Sequence, residues 1–159
     1  MKTISRDARA RLISLLAEFP AVLLYGPRQC GKSTMARVAL PNWTHLDLER
    51  PRDQGLLSGE LEGFFEAHPR RVVFDEAQRF PALFPVLRHI LDRDRENGRY
   101  LLLGSASPDL LSRASETLAG RIGLLELTPF TAHELSHGRH RENRWFWGGY
   151  PSVHAAGNA

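Results

Sequence analysis

The nine residues 26–34, GPRQCGKST, combine glycine, lysine and hydroxyl side chains at a spacing suited to phosphate binding. Gly26, Gly31, Lys32 and Ser33 satisfy the pattern G-x-x-x-x-G-K-S/T. Glycines let successive backbone N–H groups converge on a phosphate, and a helix that begins after them adds the positive end of its dipole. The Lys32 ammonium would contact the β- and γ-phosphates of a nucleotide, and the Ser33 hydroxyl would bind Mg²⁺. The predicted phosphate-binding residues are Gly26, Pro27, Arg28, Gln29, Cys30, Gly31, Lys32, Ser33 and Thr34.

The alternative interpretation of this stretch is a glycine-rich turn with an incidental lysine. The preceding apolar run AVLLY predicts a strand and the following residues predict a helix, which is the context that a phosphate loop requires. As a loop side chain, Lys32 is expected to be exposed and to contribute little to stability.

Two adjacent carboxylates, Asp75 and Glu76, follow the apolar run VVF. In proteins with a phosphate loop, an acidic residue at the end of a neighbouring strand holds Mg²⁺, a role that falls to Asp75. Glu76 can then orient a water molecule and take its proton for attack on the γ-phosphate. The alternative is that both carboxylates cap the next helix.

The elements that must position these groups follow from hydrophobic periodicity. Apolar runs bounded by turn residues predict strands over 21–25, 43–48, 71–74, 100–103 and 122–127. Helical spacing of apolar residues, with proline or glycine stops, predicts helices over 4–19, 32–40, 59–67, 82–96 and 108–119. Because strands and helices alternate, we predict a doubly wound α/β fold with a parallel sheet and helices on both faces.

Length and composition restrict the class of protein. The 159 residues suit one domain, and no stretch approaches the roughly 18 apolar residues of a membrane helix. Charged residues interrupt 1–19, so no secretory signal is predicted. The single cysteine, Cys30, excludes an internal disulfide and suits the cytoplasm. The net charge of +3 is carried by scattered arginines, which favours a solvated surface over a dedicated nucleic-acid groove.

Four stretches, GPRQCGKST, VVFDEAQ, LLLGSAS and LAGRIGLLELTPF, carry a family resemblance that covers nearly the whole chain. The chain resembles the AAA+ superfamily of P-loop ATPases, and within it the prokaryotic group whose AAA-type domain precedes an uncharacterised C-terminal domain. The resemblance implies a five-stranded sheet in the order 5-1-4-3-2. It also implies ATP and Mg²⁺ as cofactors, and the preference for adenine rests on it alone.

The resemblance assigns two further catalytic roles, beside those of Lys32 and Glu76. Ser105, at the end of the strand in LLLGSAS, would be a polar sensor of the γ-phosphate or the attacking water. Arg121, in LAGR, would be a finger that contacts nucleotide on a neighbouring subunit of a homo-oligomer. The alternatives are that Ser105 is an ordinary loop residue and that Arg121 is a solvated charge or a structural partner of a nearby carboxylate.

Family members continue into a helical lid, and this sequence leaves no room for one after the core. We therefore expect residues 1–159 to form a single AAA-type core without lid or C-terminal domain. The aromatic residues Trp145, Phe146, Trp147 and Tyr150 would then form either a docking surface or a structural cap. His133, His137 and His140 are interpreted as solvated side chains and not as metal ligands.

The function expected from these residues is Mg²⁺-dependent hydrolysis of ATP that changes the conformation of a partner or of a missing domain. One alternative is a phosphotransferase that moves the γ-phosphate to a small acceptor. The other is a nucleotide-gated module that docks DNA or protein and hydrolyses little. The sequence leaves the identity of the partner open, and no membrane association is expected.

Overall fold

A five-stranded parallel sheet is the centre of the computed structural model, which describes residues 4–59, 61–135 and 148–151. The strands are β1 (Ala21–Gly26), β2 (Thr44–Asp47), β3 (Val72–Asp75), β4 (Tyr100–Ser105) and β5 (Ile122–Glu126). Their order is β2-β3-β4-β1-β5, which confirms the predicted order 5-1-4-3-2. The described helices are α1 (Ala8–Glu18), α2 (Lys32–Ala39), α3 (Pro51–Ser58), α4 (Leu61–Ala67), α5 (Leu83–Arg93) and α6 (Pro108–Thr117), with a 3₁₀ turn at Ala77–Arg79.

Strand β1 is paired along its length on both sides. Its last residue, Gly26, lies opposite Ser105 of β4, and Tyr25 lies opposite Glu126 of β5. Residues 21–24 are fully buried, as the continuous apolar run predicts for a strand covered on both faces. Because all five strands are parallel, their carboxyl ends meet at one edge of the sheet, which we call the carboxyl edge.

Each face of the sheet carries its own apolar layer. Leu23 and Leu102 face one layer, which is completed by side chains of α3, α4, α5 and α6. Val22, Leu24 and Leu101 face the other layer, which is completed by α1 and α2. The predicted doubly wound α/β fold, with helices on both faces, is therefore confirmed.

The main error in the predicted elements is the missed helix α3. Its first residue is Pro51 and its first turn contains Asp53, both of which favour a helix start. The short length of α3 and the glycine within it weakened the helical pattern of its sequence. In addition, α1 begins at Ala8 and not at residue 4, so that Arg6 precedes the helix.

None of the helices in the described ranges combines the length and the apolar character needed to cross a bilayer.

Candidate functional site

The phosphate loop predicted from the sequence connects the carboxyl end of β1 to the first turn of α2. Gln29 and Gly31 adopt positive φ angles of 62° and 97°, which turn the chain back toward the helix. Gly31 is the N-cap of α2 and has no side chain with which to cap it. The N–H groups of the first helical turn are therefore left to bind an external anion, with the helix dipole acting in the same direction.

At Gly26, strand β1 closely approaches the chain leaving β5. A Cβ atom at this position would lie 2.1 Å from the carbonyl oxygen of Leu127. The two segments are held together by the Leu127 N–H, which donates to the carbonyl of Tyr25 at 2.7 Å. A glycine is thus required at this position because no side chain fits there, and also because of the geometry of the loop.

Lys32 lies inside the curve of the loop and is 6% exposed, so the expectation of an exposed side chain was wrong. Its Nζ donates to the carbonyls of Gly26 at 3.0 Å and Pro27 at 2.8 Å. The Cys30 thiol lies 4.0 Å from the same Nζ, and burial raises the pKa of this thiol. Within the described ranges, the hydrogen-bond acceptors around this buried ammonium are therefore neutral.

Asp75, Glu76 and Ser105 also lie at the carboxyl edge. Ser105 ends β4 directly opposite Gly26, and Asp75 ends β3, which is the next strand along the sheet. Glu76 follows with a φ of 54°, a left-handed conformation that is uncommon for a glutamate and recurs at functional sites. Its N–H donates to Asp75 Oδ1 at 3.0 Å. The sheet therefore gathers these three predicted residues on the side where the phosphate loop begins.

Ser33 and Asp75 offer a hydroxyl and a carboxylate, the hard oxygen ligands that suit Mg²⁺. Ser33 lies in the first turn of α2, and Asp75 lies two strands from the loop on the same edge. The donor chemistry present in the site therefore fits the cation.

Gln78 was not assigned a role from the sequence, although it belongs to the stretch VVFDEAQ. Its Nε2 donates to Glu76 Oε2 at 2.5 Å. Its Oε1 is buried and has no hydrogen-bond partner in the part of the chain that the structure describes. Gln78 thus fixes the carboxylate of Glu76. The two residues are close neighbours in the sequence, but their contact depends on the 3₁₀ turn after β3.

Arg121 lies at the opposite, amino edge of the sheet, where it precedes β5. Its Nε donates to Asp92 Oδ1 at 2.7 Å, its Nη2 forms an ion pair with the same oxygen at 2.6 Å, and its Nη1 donates to the carbonyl of Ala119 at 2.7 Å. The hydrogen bond and the positive charge of Arg121 lower the pKa of the Asp92 carboxyl. The five residues of β5 span about 16 Å, so Arg121 lies far from the phosphate loop of its own chain.

The remaining sequence candidates are only partly described. His133 Nδ1 lies 2.9 Å from Asp7 Oδ2, and no three His, Cys, Asp or Glu side chains of the described residues are grouped to hold a metal. Tyr150 is exposed. His137, His140, Trp145, Phe146 and Trp147 lie outside the described residues.

A parallel sheet in this strand order, with a phosphate loop between the first strand and the next helix, defines the P-loop NTPase fold. A family model described as AAA domain matches residues 18–136, and the chain belongs to this family. It is therefore an AAA-type P-loop ATPase domain.

Two uncharacterised mycobacterial proteins, from Mycobacterium bovis and Mycobacterium tuberculosis, are each 44% identical to the chain over 149 residues. The match covers 92% of this chain and 33% of each relative, so the chain spans about a third of their length. Among solved structures, the Walker-type ATPase PABY2304 of Pyrococcus abyssi matches with a TM-score of 0.60 at 17% identity. That alignment covers 94% of this chain and 65% of the archaeal chain and supports the fold.

The packing at Gly26 gives a first prediction. Gly26→Ala should destabilise the protein by about 1–3 kcal/mol, because the added methyl group must push the Leu127 carbonyl away from β1. Gly55→Ala is the matched control: it lies within α3 with open space around it and should stabilise by about 0.5–1 kcal/mol. Urea denaturation of both variants measures the difference. A Gly26→Ala protein as stable as the parent would show that the two backbones are not in tight contact.

Proposed function

We propose that this domain binds ATP together with Mg²⁺ and hydrolyses it to ADP and phosphate. The observation that carries the proposal is the buried ammonium of Lys32 at the start of α2, whose described hydrogen bonds all go to neutral acceptors. A buried charge is stable only when it is paired, and the backbone N–H groups beside this ammonium also attract an anion. A nucleotide phosphate provides the required negative charge.

Lys32 has three donors, and the structure directs two of them to loop carbonyls. Among the described residues, the third has only the thiol of Cys30 as a distant, weak acceptor. A phosphate oxygen is a much stronger acceptor than a neutral thiol, so the third donor would turn to the phosphate while the other two hold the ammonium in place. We assign the flanking residues 26–34 to the same phosphate-binding function.

Ser33 and Asp75 would hold Mg²⁺, which neutralises charge on the β- and γ-phosphates when it is bound. Glu76 is the base that accepts a proton from the attacking water, and its contact with Gln78 limits the directions in which its carboxylate can turn. Ser105, at the end of β4, would contact the γ-phosphate or the water. Hydrolysis would thus proceed by positioning and charge neutralisation.

The work obtained from ATP is proposed to shift a partner, or further parts of a longer chain, between conformations. The partner would be a protein or a nucleic acid, and the domain would act in the cytoplasm as a homo-oligomer joined through Arg121. Residues 1–159 would form one AAA-type core. Measuring phosphate release with and without nucleic acid tests whether the domain hydrolyses ATP. If the γ-phosphate is transferred to another acceptor, or if ATP is bound without turnover, that activity would replace hydrolysis as the function.

Lys32→Ala should weaken ATP binding by about 2 kcal/mol or more, because it removes the charge centred on the phosphates. It should also lower stability, since the buried carbonyl of Gly26 and the partly buried carbonyl of Pro27 lose their donor. Calorimetry with Mg²⁺ measures the affinity. Arg37→Ala, which removes an exposed charge from the same helix, is the control and should bind as the parent does. Equal affinity in Lys32→Ala and Arg37→Ala would refute the phosphate site.

Glu76→Gln should retain Mg-ATP but turn over about 10²–10⁴-fold more slowly, because the amide cannot accept a proton from water. Glu126→Gln, at the end of β5 on the same edge, should hydrolyse ATP at the parent rate. Single-turnover phosphate release compares the two variants. Parent-like turnover by Glu76→Gln would place the base elsewhere.

Arg121→Ala should reduce turnover by about 10³-fold or more while nucleotide affinity is unchanged, because a finger stabilises charge in the transition state of a neighbouring subunit. Mixing Arg121→Ala chains with Lys32→Ala chains should restore part of the activity, since each supplies what the other lacks. Asp92→Asn is the control: it breaks the ion pair but keeps Arg121, so its turnover should persist. Equal loss in Arg121→Ala and Asp92→Asn, without complementation, would reduce Arg121 to a structural role.

A further inference from the structure

Arg6, which precedes α1, is buried although its guanidinium is charged, with its side chain 7% exposed. Its Nη1 donates to the carbonyl of Cys30 in the phosphate loop at 2.7 Å. Its Nη2 donates to the carbonyl of Thr128 at 2.5 Å, and its guanidinium lies over the ring of Phe130 at 4.6 Å. Arg6 therefore joins the phosphate loop to the segment that follows β5.

Glu134 completes this arrangement. Its side chain is 2% exposed and accepts hydrogen bonds from Arg6 Nε at 2.9 Å and from the N–H groups of Asp7 and Thr131, both at 2.8 Å. The carboxylate thus neutralises Arg6 and fixes its orientation. We refer to Arg6, Glu134 and the carbonyls of Cys30 and Thr128 as the Arg6 clasp.

The bond to Cys30 determines how the phosphate loop presents its next amide. In a trans peptide the C=O and the following N–H point in opposite directions. When Arg6 holds the Cys30 carbonyl, the N–H of Gly31 is directed away from Arg6. Arg6 also packs against the loop at Gly31, where an added Cβ atom would lie 3.6 Å from Arg6 Nη1.

We propose that Arg6 is a positioning residue of the phosphate loop. By holding the Cys30 carbonyl, it fixes the direction of the Gly31 N–H and thereby prepares the loop for the β-phosphate that ADP and ATP share. The inference rests on the proposed nucleotide site, and it assigns to Arg6 a role in affinity without contact with the nucleotide.

Arg99 offers a matched control for a purely structural buried arginine. It is 4% exposed, donates to the carbonyls of Pro69 at 2.8 Å and Asp94 at 2.6 Å, and lies 5.2 Å from the centre of the Tyr100 ring. It precedes β4, at the amino edge, and does not belong to the loop. Arg6→Ala and Arg99→Ala therefore remove similar contacts at opposite ends of the sheet.

The single thiol of the chain, Cys30, provides a probe of the loop that is independent of nucleotide. It is fully buried, and its reaction with a thiol reagent reports how often the loop opens. Loss of the Arg6 charge alone would not speed this reaction, because a nearby cation favours the reactive thiolate. Faster labelling of an Arg6 variant therefore reports exposure of the loop.

The experiment measures ADP and ATP affinity by calorimetry and Cys30 labelling rates in the parent, Arg6→Ala and Arg99→Ala. Arg6→Ala should weaken ADP and ATP by the same factor, about tenfold or more, as expected for the loss of one hydrogen bond that shapes a charged site. Cys30 of Arg6→Ala should also react with the thiol reagent faster than Cys30 of Arg99→Ala when each variant is held the same number of degrees below its melting temperature. Arg6→Lys keeps the charge but loses the planar set of guanidinium donors, so it should shift the affinity and the labelling rate in the same direction as Arg6→Ala. It replaces Arg6→Ala if that variant does not fold.

Parent-like nucleotide affinity together with parent-like labelling in both Arg6 variants would overturn the inference and leave Arg6 a structural residue. Equal effects of Arg6→Ala and Arg99→Ala on both readouts would do the same. If the parent itself binds neither ADP nor ATP, the proposed nucleotide site fails. The labelling comparison then still decides whether Arg6 holds the loop closed.

Discussion

The close contact between the end of β1 and the chain leaving β5 is the constraint on which the phosphate loop depends. At Gly26 the backbone of one strand meets the Leu127 carbonyl with no space for a side chain. Pairing of β1 with β4 and β5 holds this contact, and the buried side chains on both faces of β1 hold the pairing. The loop therefore starts from a fixed point of the core, and its residue Cys30 is buried in the apolar layer under α1 and α2.

Two buried cations on this rigid base give the loop its electrostatic character. Lys32 donates to neutral loop carbonyls, whereas Arg6 is paired with Glu134. A buried ion pair adds little net stability, because the cost of removing both charges from water offsets most of their attraction. We therefore regard the Arg6–Glu134 pair mainly as a device that fixes geometry. Lys32, without a carboxylate partner among the described residues, keeps its charge available for a phosphate.

The sequence was informative where chemistry depends on residues that are close together along the chain. The motif at 26–34 and the apolar run before it predicted the loop and its strand, and alternation predicted the sheet. The Arg6 clasp could not be predicted, since Arg6 and Glu134 are separated by 128 positions and no spacing rule relates them. Gly98 illustrates a smaller limit: the helix predicted over 82–96 ends at Arg93, and Gly98, which has a positive φ, approaches the Leu16 carbonyl in the turn before β4.

The position of Arg121 decides which roles it can have. It lies at the amino edge and the phosphate loop at the carboxyl edge, so a contact with nucleotide requires a second chain. Its bonds to Asp92 would have to break for such a contact. Asp92 also lies 3.5 Å from Arg95 and 3.9 Å from Arg88, so the carboxylate would keep cationic neighbours after Arg121 left. Because the Asp92 side chain is 36% exposed and ion pairs that remain in contact with water contribute little to stability, this exchange is a weak obstacle. Assembly geometry therefore determines whether Arg121 acts as a finger.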